Sequence, residues 1–262
     1  MIASTPDAPP GYVRFRVGTS VVVCSTHVAG ATREALGAGT LYRYAESHPR
    51  ARALSGRGIA YAVPLPGAIE QVVIRHNRHG GTLARFTGDL FRRPTRAPLE
   101  LEMSERLRYA GVQTPAILGY ALYPAPAGFW RSDVMTREVS DSFDFSVAIM
   151  SADAALRSRA VVATAGLVST LSEASARHHD LNVKNVLLRD SIDGALDAFV
   201  LDVDRVEFVA NPDDARESNL ARLLRSAYKW RTNHGARVTE AELADMAAMV
   251  RGIPPARFST RS

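Results

Sequence analysis

Cysteine and lysine are the residues that this sequence has least of. Its one cysteine, Cys24, excludes an internal disulfide bond and a metal site built from several thiolates. Because Cys24 lies in an apolar run, we expect a small buried residue in a protein of the reducing cytosol. Of the 32 basic residues only two are lysines, Lys184 and Lys229, and the first 183 residues contain none. Any chemistry there that ordinarily uses a lysine must therefore use an arginine.

Long hydrophobic runs are also missing. No stretch of about 18 uncharged apolar residues is present, which argues against a membrane-spanning helix, and the start lacks the basic patch and apolar run of a secretory signal. With 46% hydrophobic and 23% charged residues, the composition is that of a globular protein. The net charge of +5 indicates an anionic partner. Nucleic acid is the least favoured partner, because the arginines do not alternate with aromatic residues.

The pattern of apolar residues predicts a strand-rich first part and a helix-rich second part, with a boundary near residues 138–145. Predicted strands lie within 12–24, 59–63, 70–76, 114–123, 129–139, 185–190 and 197–208. Predicted helices span 31–54, 98–111, 151–177 and most of the chain from about 213. In the second of these helices, the spacing of Leu99, Met103, Leu107 and Ala110 predicts one buried apolar face.

One pattern carries chemistry. Asp180 and Asn185 lie five residues apart after a long predicted helix, and Asp202 follows the next apolar strand. This order is typical of a protein-kinase-like phosphotransferase, in which a carboxylate orients and deprotonates the attacking hydroxyl. We therefore predict Asp180 as the catalytic base and Asn185 and Asp202 as oxygen ligands of Mg²⁺. His179 is expected to brace this loop by hydrogen bonding.

The first part of the chain contains candidate residues for ATP binding. Gly56, Arg57 and Gly58 lie between two predicted strands, where backbone amides can approach phosphates. Arg75 ends a Val-Val-Ile-Arg strand pattern at the position where kinases have a lysine, so it is the candidate cation for the phosphates. Glu100 on the following helix is its predicted ion-pair partner, with Glu102 and Glu105 as competitors.

These motifs together resemble the lipopolysaccharide kinase family over roughly residues 55–230. The segments that carry the resemblance are Gly56–Gly58, Ile74–Gly81, Thr95-Arg96 before Glu100, His179–Asn185 and Asn219–Ser226. The chain departs from the family pattern at Asn77, where an aromatic residue is expected, and at His79, where an arginine is expected. The departures leave the activity class intact and leave the acceptor sugar open.

The resemblance implies an α+β, two-lobed, protein-kinase-like fold. Residues 1–11 would form a flexible N-terminus, 12–138 a strand-rich N-lobe and 139–262 a helical C-lobe with the catalytic loop. It also implies ATP- and Mg²⁺-dependent phosphorylation of a sugar hydroxyl of the lipopolysaccharide inner core, with a 3-deoxy-D-manno-octulosonic acid (Kdo) type acceptor. The expected location is cytoplasmic, at the inner face of the inner membrane.

Two other functions remain open from the residues alone. One is a small-molecule or protein kinase of related fold, and the other is a nucleotide-binding pseudokinase, which retention of Asp180, Asn185 and Asp202 disfavours. The arginines between residues 75 and 96 allow two interpretations, either binding of substrate or lipid phosphates or a solvated basic face. The oligomeric state is not determined by the sequence.

Overall fold

The computed structural model describes residues 8–55, 59–67, 70–78, 88–92 and 96–253. The chain divides into two units, one of Met1–Glu102 and Ala116–Glu138, and a second of Met103–Pro115 and Val139–Ser262. The predicted glycine loop at 56–58 and most of the predicted flexible terminus lie outside the described residues.

The first unit is built on a seven-stranded antiparallel sheet in the order β1-β2-β6-β7-β5-β4-β3. Its strands are β1 (Tyr12–Val17), β2 (Ser20–Ser25), β3 (Arg52–Ser55), β4 (Ile59–Pro64), β5 (Gln71–His76), β6 (Ile117–Pro124) and β7 (Trp130–Arg137). Its helices are α1 (Ala29–Ala35), α2 (Leu41–Ser47) and α3 (Arg96–Tyr109), the last of which ends in the second unit.

Alternation along the strands gives the sheet two apolar faces. Val22 and Cys24 face one core with residues of α1 and α2, while Val21 and Val23 face the other with residues of α3. Cys24 is buried as predicted, and burial raises the pKa of its thiol. Gly119 permits this packing, because a Cβ there would lie 2.5 Å from Cβ of Cys24.

The second unit is mainly helical. Its helices are α4 (Phe145–Met150), α5 (Ala154–Glu173), α6 (Pro212–His234) and α7 (Glu240–Val250). Its strands are β8 (Ser142–Asp144), β9 (Ala176–His178), β10 (Val186–Asp190), β11 (Leu196–Val200) and β12 (Val206–Phe208). They form a three-stranded sheet, β11-β10-β8, and a two-stranded sheet, β12-β9. One apolar core joins the buried faces of all four helices with these strands.

Local capping explains where the long helices begin and end. Asp153 precedes α5 and accepts a hydrogen bond from the amide of Ala155 at 2.8 Å. Asn211 caps α6 in the same way, and Gly235 ends it in the left-handed conformation (φ +68°). The helix predicted from about residue 213 is therefore two helices.

Three further predictions of local structure were wrong. Residues 31–54 are not one helix, because α1 and α2 are separate and Arg52–Ser55 pairs with β4 as a strand. The run 197–208 is interrupted by a 3₁₀ turn at Val203–Arg205. The apolar face predicted for residues 98–111 is correct at Met103 and Leu107, which are buried, and wrong at Leu99, which is 41% exposed, and at Ala110, which is exposed just beyond the end of α3; Glu100 and Leu101 are buried instead.

Candidate active site

The predicted catalytic loop connects β9 to β10 and folds around the backbone carbonyl of Asp180. The Nδ2 groups of Asn182 and Asn185 donate to this carbonyl oxygen at 2.9 and 2.8 Å. The backbone amide of Asn185 donates to the carbonyl of Asn182 at 2.9 Å, and that of Lys184 donates to Oδ1 of Asn182 at 2.9 Å. The two asparagines therefore fix the path of the chain on either side of Asp180.

The β10–β11 hairpin brings Asp202 to the same place. Val186 pairs with Val200, and beyond this pair the amide of Leu201 donates to the carbonyl of Asn185 at 2.9 Å. Asp202, the next residue, has a left-handed backbone (φ 54°, ψ 45°). A non-glycine residue in this region carries strain of about 1 kcal/mol or more, which is common at functional sites. Asp180, Asn185 and Asp202 are therefore gathered at one end of the hairpin.

His178 holds the two halves of this arrangement together. Its imidazole is fully buried, Nδ1 accepts from the amide of Asp180 at 3.0 Å, and Nε2 donates to the carbonyl of Leu201 at 2.9 Å. One ring thus connects the residue predicted as base with the residue that precedes Asp202. Because one ring nitrogen accepts and the other donates, the imidazole is neutral.

The electrostatic surroundings of His178 agree with this neutral state. Burial lowers the pKa of the imidazole, and this effect outweighs the opposing influence of the Leu201 carbonyl and of the carboxylates of Asp180, Asp202 and Asp204. All three carboxylates lie near enough to act on the ring. His178 therefore positions the loop without adding a positive charge among these acidic groups.

Helix α6 supports the loop through two side chains that lie two helical turns apart on one face. Asn219 is fully buried, accepts from the amide of His178 at 2.9 Å and donates to the carbonyl of Ala176 at 2.9 Å. Ser226 accepts from the amide of Val183 at 3.3 Å. These contacts give a physical reason for the Asn219–Ser226 segment that the sequence analysis singled out.

Lys184 lies at the outer side of the loop. It is exposed, and its Nζ lies 5.6 Å from the ring centroid of Trp230 on α6. Asp144 of β8, which pairs with Leu187 of β10, is near enough for the charge of Lys184 to act on its carboxyl group. Burial raises the pKa of the Asp144 carboxyl, and the charge of Lys184 only partly offsets this rise.

The first unit contains the predicted nucleotide-binding pair. Val72 and Ile74 of β5 face the core on the α1–α2 side, so Arg75 faces α3. The Arg75 guanidinium forms an ion pair with Glu100 of α3, which is only 3% exposed, and donates to Oδ1 of Asn77 at 2.9 Å. Arg75 therefore contacts two acceptors at once, as a planar guanidinium can.

Asn77 links the Arg75 guanidinium to strand β7. Its side chain is buried, its Nδ2 donates to Oγ of Ser132 at 3.0 Å, and its amide donates to the carbonyl of Ser132 at 2.9 Å. At the position where the family pattern has an aromatic residue, this chain therefore has an amide that orients Arg75.

His76 faces the opposite side of the sheet from Arg75 and is surrounded by acids. Nδ1 donates to Oδ1 of Asp133 at 2.6 Å, and Nε2 donates to Oδ2 of Asp89 at 2.9 Å. Burial alone would lower the pKa of His76, but the hydrogen bonds and charges of these two carboxylates outweigh it and raise the pKa. Both ring nitrogens donate, so this imidazole is protonated.

Asp133 connects this charged cluster with the start of α2. The carboxylate is fully buried, and its second oxygen accepts from the amide of Tyr42 at 2.9 Å and from the hydroxyl of Tyr123 at 2.8 Å. The Tyr123 oxygen in turn accepts from the amide of Leu41 at 2.9 Å. The buried carboxylate therefore satisfies the amide of Tyr42 directly and that of Leu41 through Tyr123, at the N-terminus of the helix, where negative charge is favourable.

The structure thus places the candidate residues in two groups. Asp180, Asn185 and Asp202 come together in the second unit, and Arg75 and Glu100 pair in the first. Gly56, Arg57 and Gly58 lie outside the described residues. Of the competitors for Arg75, Glu105 forms its ion pair with Arg108 at 3.0 Å.

Sequence reasoning missed the buried positioning residues. The side chain that braces the catalytic loop is His178; His179 is exposed, and its Nε2 donates to Glu207 at 2.6 Å. A signal was present in the alternation along β9, where Ala176 is buried, Arg177 is half-buried and His178 is buried. For Asn77 and Asn219, which the sequence analysis named only as a departure from the family pattern and as part of a segment, no periodicity indicated burial, because both have charged and polar neighbours.

Comparisons with known proteins identify the family. The profile of the lipopolysaccharide kinase (Kdo/WaaP) family matches residues 51–251. A protein of Actinobacillus succinogenes named 3-deoxy-D-manno-octulosonic acid kinase is 27% identical over 194 residues, 71% of this chain and 78% of that protein. A Haemophilus influenzae protein of the same name is 25% identical over 199 residues, 74% and 81% of the two chains.

A solved structure shows the same fold. The structure described as WaaP in complex with acyl carrier protein aligns with a TM-score of 0.53 at 18% sequence identity, covering 83% of this chain and 84% of the other. The predicted α+β, kinase-like fold is confirmed by this likeness. In the part of the chain that the structure describes, no helix has both the length and the apolar character needed to cross a bilayer. The family match covers well over half of the sequence, so the chain belongs to the lipopolysaccharide kinase (Kdo/WaaP) family and is a phosphotransferase that acts on a sugar hydroxyl with ATP as phosphate donor.

Proposed function

We propose that this protein transfers phosphate from ATP to a hydroxyl of a Kdo-type sugar on a lipid-linked inner-core acceptor, at the cytoplasmic face of the membrane. The observation that carries the proposal is the closed loop around Asp180 in a chain whose relatives are named 3-deoxy-D-manno-octulosonic acid kinase. The function class follows from the family, and the acceptor is the part that we propose.

Asp180 is the proposed catalytic base. Its backbone carbonyl is held by two asparagine side chains and its amide by His178, so its carboxylate extends from a fixed point of the chain. A carboxylate that accepts the proton of the acceptor hydroxyl as the phosphate bond forms contributes about 10² to 10⁴ in rate. The described contacts fix the main chain of Asp180 on three sides, which supports this role.

Asn185 and Asp202 are the proposed magnesium ligands. Nδ2 of Asn185 is engaged with the Asp180 carbonyl, which leaves its Oδ1 as an oxygen donor, and the backbone hydrogen bond from Leu201 to Asn185 brings the chain at Asp202 to the same end of the hairpin. Within the described ranges no three His, Cys, Asp or Glu side chains converge as a metal site. Two protein oxygens completed by phosphate oxygens and water fit Mg²⁺, which would neutralise charge on the transferring phosphate.

Arg75 is the proposed cation for the α- and β-phosphates, and Glu100 holds it. The buried carboxylate fixes one side of the guanidinium and Asn77 fixes another, so the guanidinium keeps a defined direction. Gly56, Arg57 and Gly58 are proposed to cover the phosphates with backbone amides. Residues 12–138 and 139–262 are proposed to act as the N-lobe and the C-lobe of the enzyme.

An acceptor panel tests this proposal. Purified protein with ATP and Mg²⁺ is offered Kdo–lipid A, free sugars, an aminoglycoside and a generic protein substrate, and each product is analysed by mass spectrometry. We expect one added phosphate on the Kdo residue alone. Phosphate on the antibiotic or on protein instead would favour the related small-molecule or protein kinases. Nucleotide binding in a thermal-shift assay, without transfer to any acceptor, would favour a pseudokinase.

A further inference from the structure

The C-terminal half of α6 has cations on one face that form no ion pair with a carboxylate of the described residues. Residues 222–234 contain no Asp or Glu. Arg222, Arg225 and Lys229 recur at intervals of three and four residues, so they share a face of the helix. Among the described residues no ion pair involves these three side chains, whereas Arg231, on another side of the helix, pairs with Glu240 at 3.3 Å.

This face adjoins the catalytic loop. Each of the three cations lies within about one helical turn of Ser226, and Ser226 accepts from the amide of Val183 in the loop. Lys184 is the next loop residue and is exposed; within the described part of the chain it forms no close ion pair, and its charge acts on the Asp144 carboxyl from a greater distance. Positive charge therefore extends from α6 to the residue beside Asn185. We call these four residues the α6 basic surface.

Exposed apolar side chains flank the same loop. Helix α4 begins beside it, because the amide of Ser146 donates to the carbonyl of Val183 at 3.0 Å. Val147 and Met150, one turn apart on this short helix, are 55% and 38% exposed. Unpaired cations next to exposed apolar side chains are the combination that binds an anionic bilayer, because charge attracts the surface and apolar groups enter its outer layer.

We propose that the α6 basic surface, with Val147 and Met150, is the face that docks on an anionic phospholipid bilayer. The inference rests on the proposed function in one respect, since a lipid-linked acceptor has to be reached at a membrane. The positive charge of this surface is complementary to the negative charge of anionic phospholipid headgroups, which supports a bilayer as its partner. Docking through residues that adjoin the catalytic loop holds Asp180 near the headgroup layer in which an acceptor sugar lies.

Vesicle co-sedimentation tests the docking surface directly. The full chain is mixed with vesicles of phosphatidylcholine alone, or of phosphatidylcholine and phosphatidylglycerol in equal parts. We compare the wild type with Arg222→Gln/Arg225→Gln/Lys229→Gln, and with a matched control, Arg16→Gln/Arg43→Gln/Arg50→Gln, which removes the same charge from exposed sites in the first unit. Circular dichroism melting curves verify that all three proteins are folded.

We expect the wild type and the matched control to bind the anionic vesicles alike and to be released by salt. The α6 variant is expected to bind about a hundredfold more weakly, since each cation contributes roughly a factor of five to ten at such a surface. Val147→Ser/Met150→Ser is expected to weaken binding to a smaller extent. Equal binding by the wild type and the α6 variant, or an equal loss in the matched control, would overturn the proposal.

A kinase assay separates this proposal from the acceptor assignment. With a water-soluble Kdo glycoside the α6 variant is expected to turn over like the wild type, and with Kdo–lipid A in anionic vesicles its KM is expected to rise. A loss with both acceptors would contradict a docking role and indicate a role in catalysis. If no Kdo acceptor is phosphorylated by either protein, the proposed acceptor is wrong, while co-sedimentation still decides whether this surface docks.

Discussion

In the first unit the imidazole of His76 lies between two carboxylates, whereas in the second unit that of His178 lies between a backbone amide and a backbone carbonyl. The first ring is charged, and its neighbours raise its pKa; the second is neutral, because burial lowers its pKa. The same side chain thus links strand β5 to two carboxylates by charge and fixes the catalytic loop without charge.

The difference follows from what lies nearby. Near His178 the carboxylates of Asp180 and Asp202 are the groups proposed for catalysis, and a cation between them would compete with the metal and phosphate that they would hold. Near His76 the carboxylates have no such role, and the first of them, Asp133, is fully buried. A buried carboxylate requires a partner, and the protonated ring together with the amides of α2 supplies it.

Removal of Asp133 should have the largest effect on stability. Asp133→Ala leaves the half-buried imidazole of His76 with Asp89 alone and leaves unpaired donors from Tyr42 and Tyr123, which we expect to cost about 3 to 5 kcal/mol in the free energy of unfolding. The control is Glu70→Gln, which breaks an exposed pair with Arg137 and should cost about 1 kcal/mol or less. Urea denaturation measures both, and equal effects would show that the first unit does not depend on its buried charge.

The adjacent histidines of the loop form a second matched pair. His178→Ala leaves a cavity and the unpaired amide of Asp180, for which we expect a loss of about 3 kcal/mol and a fall in kcat. His179→Ala, at an exposed position paired with Glu207, should change stability by about 1 kcal/mol or less. Denaturation and steady-state assays of the two variants test the distinction. If His179→Ala were the more damaging change, the assignment of the bracing role would be wrong.

The variant Arg75→Lys tests whether a positive charge at this position is sufficient for ATP binding without the geometry of a guanidinium group. A lysine keeps the ion pair with Glu100, but its ammonium group lacks the planar donor geometry that lets the guanidinium bind Glu100 and Asn77 at the same time. We therefore expect the KM for ATP to rise about tenfold. Asn77→Ala should reproduce part of this rise with the arginine still present. Initial rates over a range of ATP concentrations give both values. Unchanged kinetics of Arg75→Ala would remove this residue from the proposed nucleotide site.

The contributions of the imidazoles of His76 and His178 to the free energy of unfolding should depend on pH with opposite signs. These are the smallest of the effects that we expect. The raised pKa of His76 means that its contribution is present below about pH 6.5 and is lost as pH rises through the raised pKa. The lowered pKa of His178 means that its contribution is present above about pH 6.5 and is lost as pH falls towards the lowered pKa. We measure the free energy of unfolding of His76→Gln and His178→Gln as a function of pH. The first variant should lose the pH dependence above about pH 6.5 and the second the pH dependence below it. Loss on the same side of this pH in both variants would contradict the opposite charge states of the two imidazoles.

Much of the fold could be predicted because local patterns are strong there. The β10–β11 hairpin follows from two alternating runs around Gly194, which has a positive φ of 81°. Helix α5 follows from a long apolar segment after the capping residue Asp153. The order of Asp180, Asn185 and Asp202 indicated the chemistry, because protein-kinase-like phosphotransferases have those residue types in that order.

The remainder depends on tertiary partners that the sequence does not display. The sequence of Arg52–Ser55 predicts part of a helix, but these residues form a strand because they pair with β4. The buried face of α3 was misassigned because Glu100, a polar residue, occupies the core side to meet Arg75, while Leu99 is left at the surface. The alternation that begins at Ala176 and the pairing of β9 with β12 together decide that His178, and not His179, is buried.

The most direct test of the central claim is phosphate transfer from ATP to Kdo–lipid A by the wild type and by Asp180→Asn. The amide keeps the size of the side chain and the backbone contacts to His178, Asn182 and Asn185, so the variant should fold normally. We predict a new phosphomonoester on the Kdo sugar with the wild type and a rate lower by about a thousandfold with the variant. Equal rates for the two proteins would contradict the assignment of Asp180 and the account of the loop that holds it.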